Sequence, residues 1–253
     1  MDTLSYSKTA NPIRWRLQMS PLRQLRVAQR ALGMRACRCS YLGARFTVDI
    51  SDVIGFSVAT RRYEPSEFKR LVRTCERIRP KVFVDVGAYF GVYSCVIGAR
   101  GLADRIVAIE PEPTHFSALG ENIRANGLDG RASLFAAAAG EEHGALVNLA
   151  HPVTHNRGLI HVVAGGQHCS AKLVSLDSLP LPRGEMIAIK IDIEGYELHA
   201  LRGARLFFEE NSGYAQIEAL SHHNRTEVLD RMQRAGWRLV DQNDSNLMFE
   251  KSS

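Results

Sequence analysis

From Val82 onward, short apolar runs alternate with longer segments in which apolar residues recur every three or four positions. The first pattern suits strands buried on both faces, and the second suits helices with one buried face. Strands are expected over 82–86, 106–109, 132–138, 186–191, 214–219, 237–240 and 247–250, and helices over 92–99, 115–126, 198–210 and 226–235. Strands separated by helical crossovers lie parallel, with helices on both faces of one sheet. The last two strands are joined only by Asp241-Gln-Asn-Asp-Ser-Asn246. That is too short for a crossover helix, so a hairpin is expected there, with one of the seven strands antiparallel.

Upstream, Phe68, Leu71, Val72, Cys75 and Ile78 share a helical face over 65–79, and Pro80 ends that segment. Residues 45–58 alternate loosely around Asp49-Ile-Ser-Asp52, which suggests a β-hairpin turning there. Residues 140–175 break the alternation and carry His143, His151, His155, His161 and His168. They read as an insertion of loops and short strands at the carboxyl edge of the sheet, where substrate contacts gather. The histidines lack the i, i+4 spacing of a helical metal site, and no metal ligands are assigned.

The 253 residues carry a net charge of +5. Within residues 1–45, Lys8, Arg14, Arg16, Arg23, Arg26, Arg30, Arg35, Arg38 and Arg45 outnumber Asp2 by eight, so the other 208 residues carry −3. The basicity belongs to an arm over 1–44, and the main domain over 45–253 is mildly acidic. No broad phosphate-binding face is implied, and no nucleic-acid partner is expected. In the arm, Ser20-Pro21 reads as a helix start, with Leu22, Leu25, Ala28 and Leu32 opposite Arg23, Arg26 and Arg30. Such a helix would pack on the domain, associate weakly with an anionic membrane surface, or belong to a targeting segment. Five cysteines without a repeating pattern do not form a disulfide framework. No apolar run approaches the roughly 20 residues that span a bilayer. A cytoplasmic protein, peripheral to a membrane if the arm attaches, is the expectation.

The chemistry-bearing stretch is Val84-Asp-Val-Gly-Ala-Tyr-Phe-Gly-Val-Tyr-Ser94. Asp85 and Gly87 end a buried strand, and Gly91 precedes a helix. Glycines at these points let the chain turn tightly and a ligand approach closely. Glu110, backed by Pro111, ends the next strand, where an acid can accept both hydroxyls of a ribose. Gly-x-x-x-Gly is not the Gly-x-Gly-x-x-Gly that a dinucleotide pyrophosphate requires, so a cofactor without phosphates is favoured.

This stretch resembles the first motif of the FkbM-type methyltransferases. Ala108-Ile-Glu-Pro-Glu-Pro113, Leu176-Asp177, Lys190-Ile-Asp-Ile-Glu-Gly-Tyr-Glu197 and Leu201-Arg-Gly-Ala204 are similar to that family's later signatures, in the same order, and Tyr63-Glu64 fits upstream. The resemblance covers roughly residues 45–250. It implies a class I methyltransferase (Rossmann-like) fold and S-adenosylmethionine as methyl donor. The product it implies is a methyl ether on a sugar, glycolipid or secondary metabolite. By the same resemblance, Gly87, Ala88, Tyr89, Phe90 and Gly91 surround the methionine part and Glu110 binds ribose. Ala137 and Ala138 lie near adenine, and Glu64, Asp85, Tyr93, Ser94, Pro111 and Asp192 complete the cofactor set. The family often has Asn where this chain has Tyr89.

An activated sulfonium methyl needs an aligned nucleophile and a group to take its proton. Lys190, Asp192 and Glu194 alternate at a strand end and share a side if the strand persists. Asp192, favoured as nearest the methyl, or Glu194 would serve as base. A divalent metal held by them is possible and is not counted as a requirement. Alternatively, Lys190 and Glu194 form an ion pair that orders the turn. His222 or His223, in the segment after Glu218, would titrate near neutrality, unless they are ordinary loop histidines. The acceptor is expected to be a hydroxylated small molecule or glycan. Two other readings stay open: RNA or protein methylation docked through the arm, and a non-catalytic cofactor-binding protein.

Overall fold

The computed structural model describes residues 36–150, 161–163, 169–243 and 245–252. The expected arm helix lies outside the described residues, as do His151, His155, His168 and the His161 side chain. The described residues open with β1 (Ala36–Tyr41) and β2 (Ala44–Asp49), an antiparallel hairpin. Its two-residue turn has positive φ at both Leu42 (49°) and Gly43 (92°), which matches the twist of the paired strands. The hairpin thus forms one strand earlier than the pattern over 45–58 suggested, and it straddles the charge boundary at 44. Asp49-Ile-Ser-Asp52 does not join two strands. Asp52 instead caps α1 (Val53–Ala59) by accepting the Gly55 N–H at 2.9 Å. A local side-chain cap overrode the strand-like composition there. Next come α2 (Pro65–Ile78), β3 (Val82–Val86), α3 (Val92–Ala99), β4 (Arg105–Ile109) and α4 (Pro113–Ala125).

The third expected strand divides into β5 (Ala132–Phe135) and β6 (Ala138–Ala139), which join different sheets. β7 (Leu146–Ala150), β8 (His161–Val163) and β9 (Ser170–Val174) follow, and with β6 they form a four-stranded sheet from the inserted segment. Then come β10 (Met186–Ile191), α5 (Glu197–Arg202), α6 (Arg205–Glu210), β11 (Ser212–Glu218), α7 (His222–Arg234), β12 (Arg238–Gln242) and β13 (Asn246–Lys251). The helix expected over 198–210 is broken at Gly203. There the helix backbone presses on the inserted segment: a Cβ on Gly203 would lie 2.0 Å from the Gly140 carbonyl oxygen.

The main sheet has the order β12-β13-β11-β10-β3-β4-β5. β13 runs antiparallel to both neighbours, while β11, β10, β3, β4 and β5 pair in parallel. Alternation along the strands divides the core. Val82, Val84 and Val86 join the cluster beneath α5, α6 and α7, while Phe83 joins the one beneath α2, α3 and α4. Asn122, fully buried on α4, accepts the Thr47 N–H at 2.9 Å and donates to the Phe90 carbonyl at 2.9 Å. One amide therefore ties the hairpin to the turn after β3. Among the described residues no helix is long and apolar enough to cross a membrane.

Gly203→Ala forces a backbone shift at this contact, because its Cβ meets a carbonyl rather than a flexible side chain. It should destabilise the fold by about 1–3 kcal/mol. Urea unfolding should show a lowered midpoint, whereas Gly130→Ala, whose Cβ meets open space, should not shift it.

Candidate active site

β3, β4 and β10 end side by side, and a cleft whose empty space, open solvent included, is about 560 Å³ lies beyond their carboxyl ends. Gly87 adopts φ 81° and makes the first bend. A Cβ there would lie 1.9 Å from the Asp192 carbonyl oxygen, so the glycine admits the end of β10 rather than a ligand. Gly91 adopts φ 86°, and its Cβ would press on Leu119 of α4. Asp85 is buried and turned inward. Its Oδ2 accepts the Ser94 N–H at 3.0 Å and the Ser94 hydroxyl at 2.6 Å, pinning the first turn of α3. Burial raises the Asp85 pKa, against the pull of Lys190 and the Ser94 hydrogen bonds.

Tyr89 stands in the left-handed region at φ 53°. Asn tolerates that conformation better than an aromatic residue does, which accounts for both the family's preference and the strain here. The turn places the Tyr89 N–H 2.9 Å from Glu110 Oε2, and its ring meets His115 edge-on at 4.1 Å. Glu110 is 5% exposed, and its Oε1 accepts the Glu112 N–H at 2.9 Å. Each Glu110 oxygen keeps a lone pair for a further donor. Glu112 caps α4 through the His115 N–H at 2.7 Å, which brings the His115 ring to the cavity wall.

The opposite wall is acidic. Lys190 is 3% exposed and reaches Asp192 Oδ2 at 2.5 Å, so the expected alternative partner Glu194 is not the one it takes. Its Nζ also lies 4.5 Å from the centre of the Tyr93 ring, and the Tyr93 hydroxyl donates to Glu64. Burial alone would lower the Lys190 pKa, but Asp192, Glu64 and Asp85 overturn that and hold it well above its ordinary value. Asp192 is held below the usual carboxylate range: burial works against this, and the charge and hydrogen bond of Lys190, with Glu218 beside them, together outweigh it. Glu218, at the end of β11, is pushed up to about 10 by burial and by the nearby Asp192 carboxylate. Glu194 is pushed up to about 7 by burial, Asp192 and Glu197. Carboxyl oxygens of Asp192, Glu194 and Glu218 lie within 4.8 Å of one another, close enough for each charge to oppose ionisation of the others.

Of the residues expected at the site, Gly87, Tyr89, Glu110, Pro111, Ala137, Ala138, Asp192 and Glu194 line the cavity. Asp85, Ala88, Phe90, Gly91, Tyr93, Ser94, Glu64 and Lys190 stand behind that wall as its support. His222 is the exposed first residue of α7 and lies outside the lining, because Ser221 caps the helix before any loop forms. His143 bonds Ser178 at 2.7 Å instead of facing the cavity. Sequence reasoning missed Ile109, His115, Ala139, Leu149, Val162, Ile193 and Tyr196. Ile193 and Tyr196 lie within the quoted 190–197 motif, so a signal existed for them. Leu149 and Val162 reach the site only through the folding of the inserted sheet.

The donor set fits S-adenosylmethionine: a carboxylate with spare lone pairs at the end of β4, flanked by the apolar Ile109, Ala137 and Ala138. Together with antiparallel β13 set between β12 and β11, this defines the class I methyltransferase fold. The model for the FkbM methyltransferase domain matches residues 85–239, and the chain belongs to that family. No curated protein matches it. Among solved structures it is similar to an FkbM methyltransferase from Methylobacillus flagellatus, at 24% identity and TM-score 0.47 over 68% of this chain. The chain spans 44% of that protein's length. It is also similar to M. jannaschii TYW2 in complex with AdoMet, at 13% identity and TM-score 0.45 over 86% of this chain and 87% of that one. The M. jannaschii tRNA m1G37 methyltransferase shows 11% identity and TM-score 0.48, over 87% of this chain and 57% of that one.

Glu218 binds its proton more tightly folded than unfolded. Below its ordinary value of 4.5 both states are protonated; between there and about 10 only the folded state is, so this group costs stability progressively as pH rises. Glu218→Gln keeps the shape without the ionisation. Its urea midpoint should exceed that of the wild type at pH 9 and match it at pH 4.

Proposed function

We propose that this chain transfers the methyl group of S-adenosylmethionine to a hydroxyl oxygen of a neutral sugar, glycolipid or secondary metabolite. The observation that carries this reading is one cavity that Glu110 lines on one wall and Asp192 and Glu194 on the other. Glu110 would accept the ribose hydroxyls through its spare lone pairs, and Ile109, Ala137 and Ala138 would flank the base. When bound, S-adenosylmethionine supplies an electrophilic methyl carbon on a cationic sulfur. The protein's part is to orient a hydroxyl and take up its proton, and carboxylates suit both tasks. A phosphate-rich acceptor fits poorly, since three carboxylates face the cavity while the buried Lys190 is bound to Asp192. The cations of residues 1–45 support weak attachment to an anionic membrane surface as the arm's role.

Titration calorimetry should show S-adenosylmethionine binding. Glu110→Ala should weaken it by about 2 kcal/mol, roughly thirtyfold, for the loss of charged hydrogen bonds. Incubation with labelled donor and a panel of methyl glycosides, polyols and sugar phosphates should yield methyl ethers of the neutral members. Failure of the folded protein to bind the donor, or label found on RNA and not on hydroxyl compounds, would remove this reading.

A further inference from the structure

Three carboxylates line the cavity, and two of them are committed. Glu110 holds the backbone N–H groups of Tyr89 and Glu112, and Asp192 holds Lys190. Glu194 makes no hydrogen bond or salt bridge with any other described residue. It is half-buried, so its carboxylate faces the cavity and keeps a path to solvent. β10 ends at Ile191, and the strand alternation ends with it. Past that point Glu194 at φ 51° and Gly195 at φ 100° turn the chain, and this left-handed step re-aims the side chain. A non-glycine residue held in that region is strained, and such strain gathers where a side chain must point one way.

We propose that Glu194 is the general base of the methyl transfer, and that Asp192 stays ionised as the fixed partner of Lys190. The proposal rests on the methyl-transfer reading above. Glu194 takes the acceptor hydroxyl's proton while the oxygen's electron pair forms the new carbon–oxygen bond. The electrons of the carbon–sulfur bond remain on sulfur, which becomes a neutral thioether, and the proton leaves Glu194 for solvent. The groups around Glu194 suit this task. Lys190 faces it from β10, Asp192 from the residue just past that strand, Glu218 from β11 and Glu197 from α5; Glu110, His115, Tyr89 and Tyr196 complete the cavity's polar wall. Asp192, tied to Lys190, is a poor proton acceptor by comparison. Burial and the like charges raise the proton affinity of Glu194 to about 7, matched to a base that works near neutrality.

The test has two readouts on the full chain. With carbon-13-labelled glutamate, one side-chain carboxyl resonance, absent from Glu194→Gln, should titrate close to pH 7. A titration in the ordinary carboxylate range overturns the proposal whether or not an acceptor has been found. In labelled transfer to the panel of methyl glycosides, Glu194→Gln should lower kcat by roughly 10²–10⁴-fold. Its S-adenosylmethionine affinity by calorimetry should stay within threefold, and Glu194→Asp should restore part of the rate. Full turnover by Glu194→Gln overturns the assignment. A wild-type protein that binds the donor yet methylates no panel hydroxyl defeats the methyl-transfer reading instead, and the carboxyl titration still decides whether Glu194 exchanges a proton near neutrality.

Discussion

A buried lysine sets the terms for this structure. Lys190 sits in the middle of the sheet with 3% exposure, where an uncompensated charge would be untenable. Its direct partner is Asp192, two residues along, and Asp85 on β3 and Glu64 at the start of α2 add to the field that keeps it charged. The acids come from three separate elements, so neutralising one cation fixes β3, β10 and the segment before α2 relative to each other. Tyr93 completes the arrangement, giving its ring face to the Lys190 ammonium and its hydroxyl to Glu64. Removing one member would leave a charge stranded in the core, a loss of about 3–5 kcal/mol for buried pairs in general.

The same constraint shapes the cavity. With Asp192 drawn back to Lys190, its main chain lies against Gly87, and the Asp192 N–H bonds the Val86 carbonyl at 3.0 Å. The turn after β3 and the acidic segment after β10 are thereby held as two walls of one space. On the far side Glu110 repeats the logic in milder form, with a buried carboxylate fixed by two backbone N–H groups. Each wall is rigid through its own hydrogen bonds, which is the preorganisation that aligning a donor and an acceptor requires.

Much of this was legible in the residues. The sheet strands were recognisable because runs such as Val82–Val86 are apolar on both faces, and the antiparallel strand followed from the short link after Gln242. Of the expected cofactor residues, those at the strand ends fell on the cavity, since strand ends are where such sheets bind ligands. The support residues were harder to separate from the lining. Asp85 reads as a ligand-binding acid until Ser94 is seen to occupy it. The hairpin was misplaced by one strand because Val53 to Val58 has strand-like composition, and only the Asp52 side chain at the helix start distinguishes the two outcomes. The division of residues 198–210 turned on contact with Gly140, which no local pattern records.

Periodicity, chain connectivity and ordered motifs determined the parallel sheet, its one reversed strand, the methyltransferase family and the two acids at the strand ends. These are local properties, carried by neighbouring residues and by the lengths of the links between them. Tertiary structure alone decided which carboxylate each partner claims. Lys190 takes Asp192 and leaves Glu194 without a described partner, and the chain turns in the left-handed region as soon as β10 ends. Burial and proximity among Asp192, Glu194, Glu218 and Glu197 then spread three like groups across very different proton affinities. Coulomb interaction depends on distance through space and on exclusion of water, and neither is written in the order of residues along the chain.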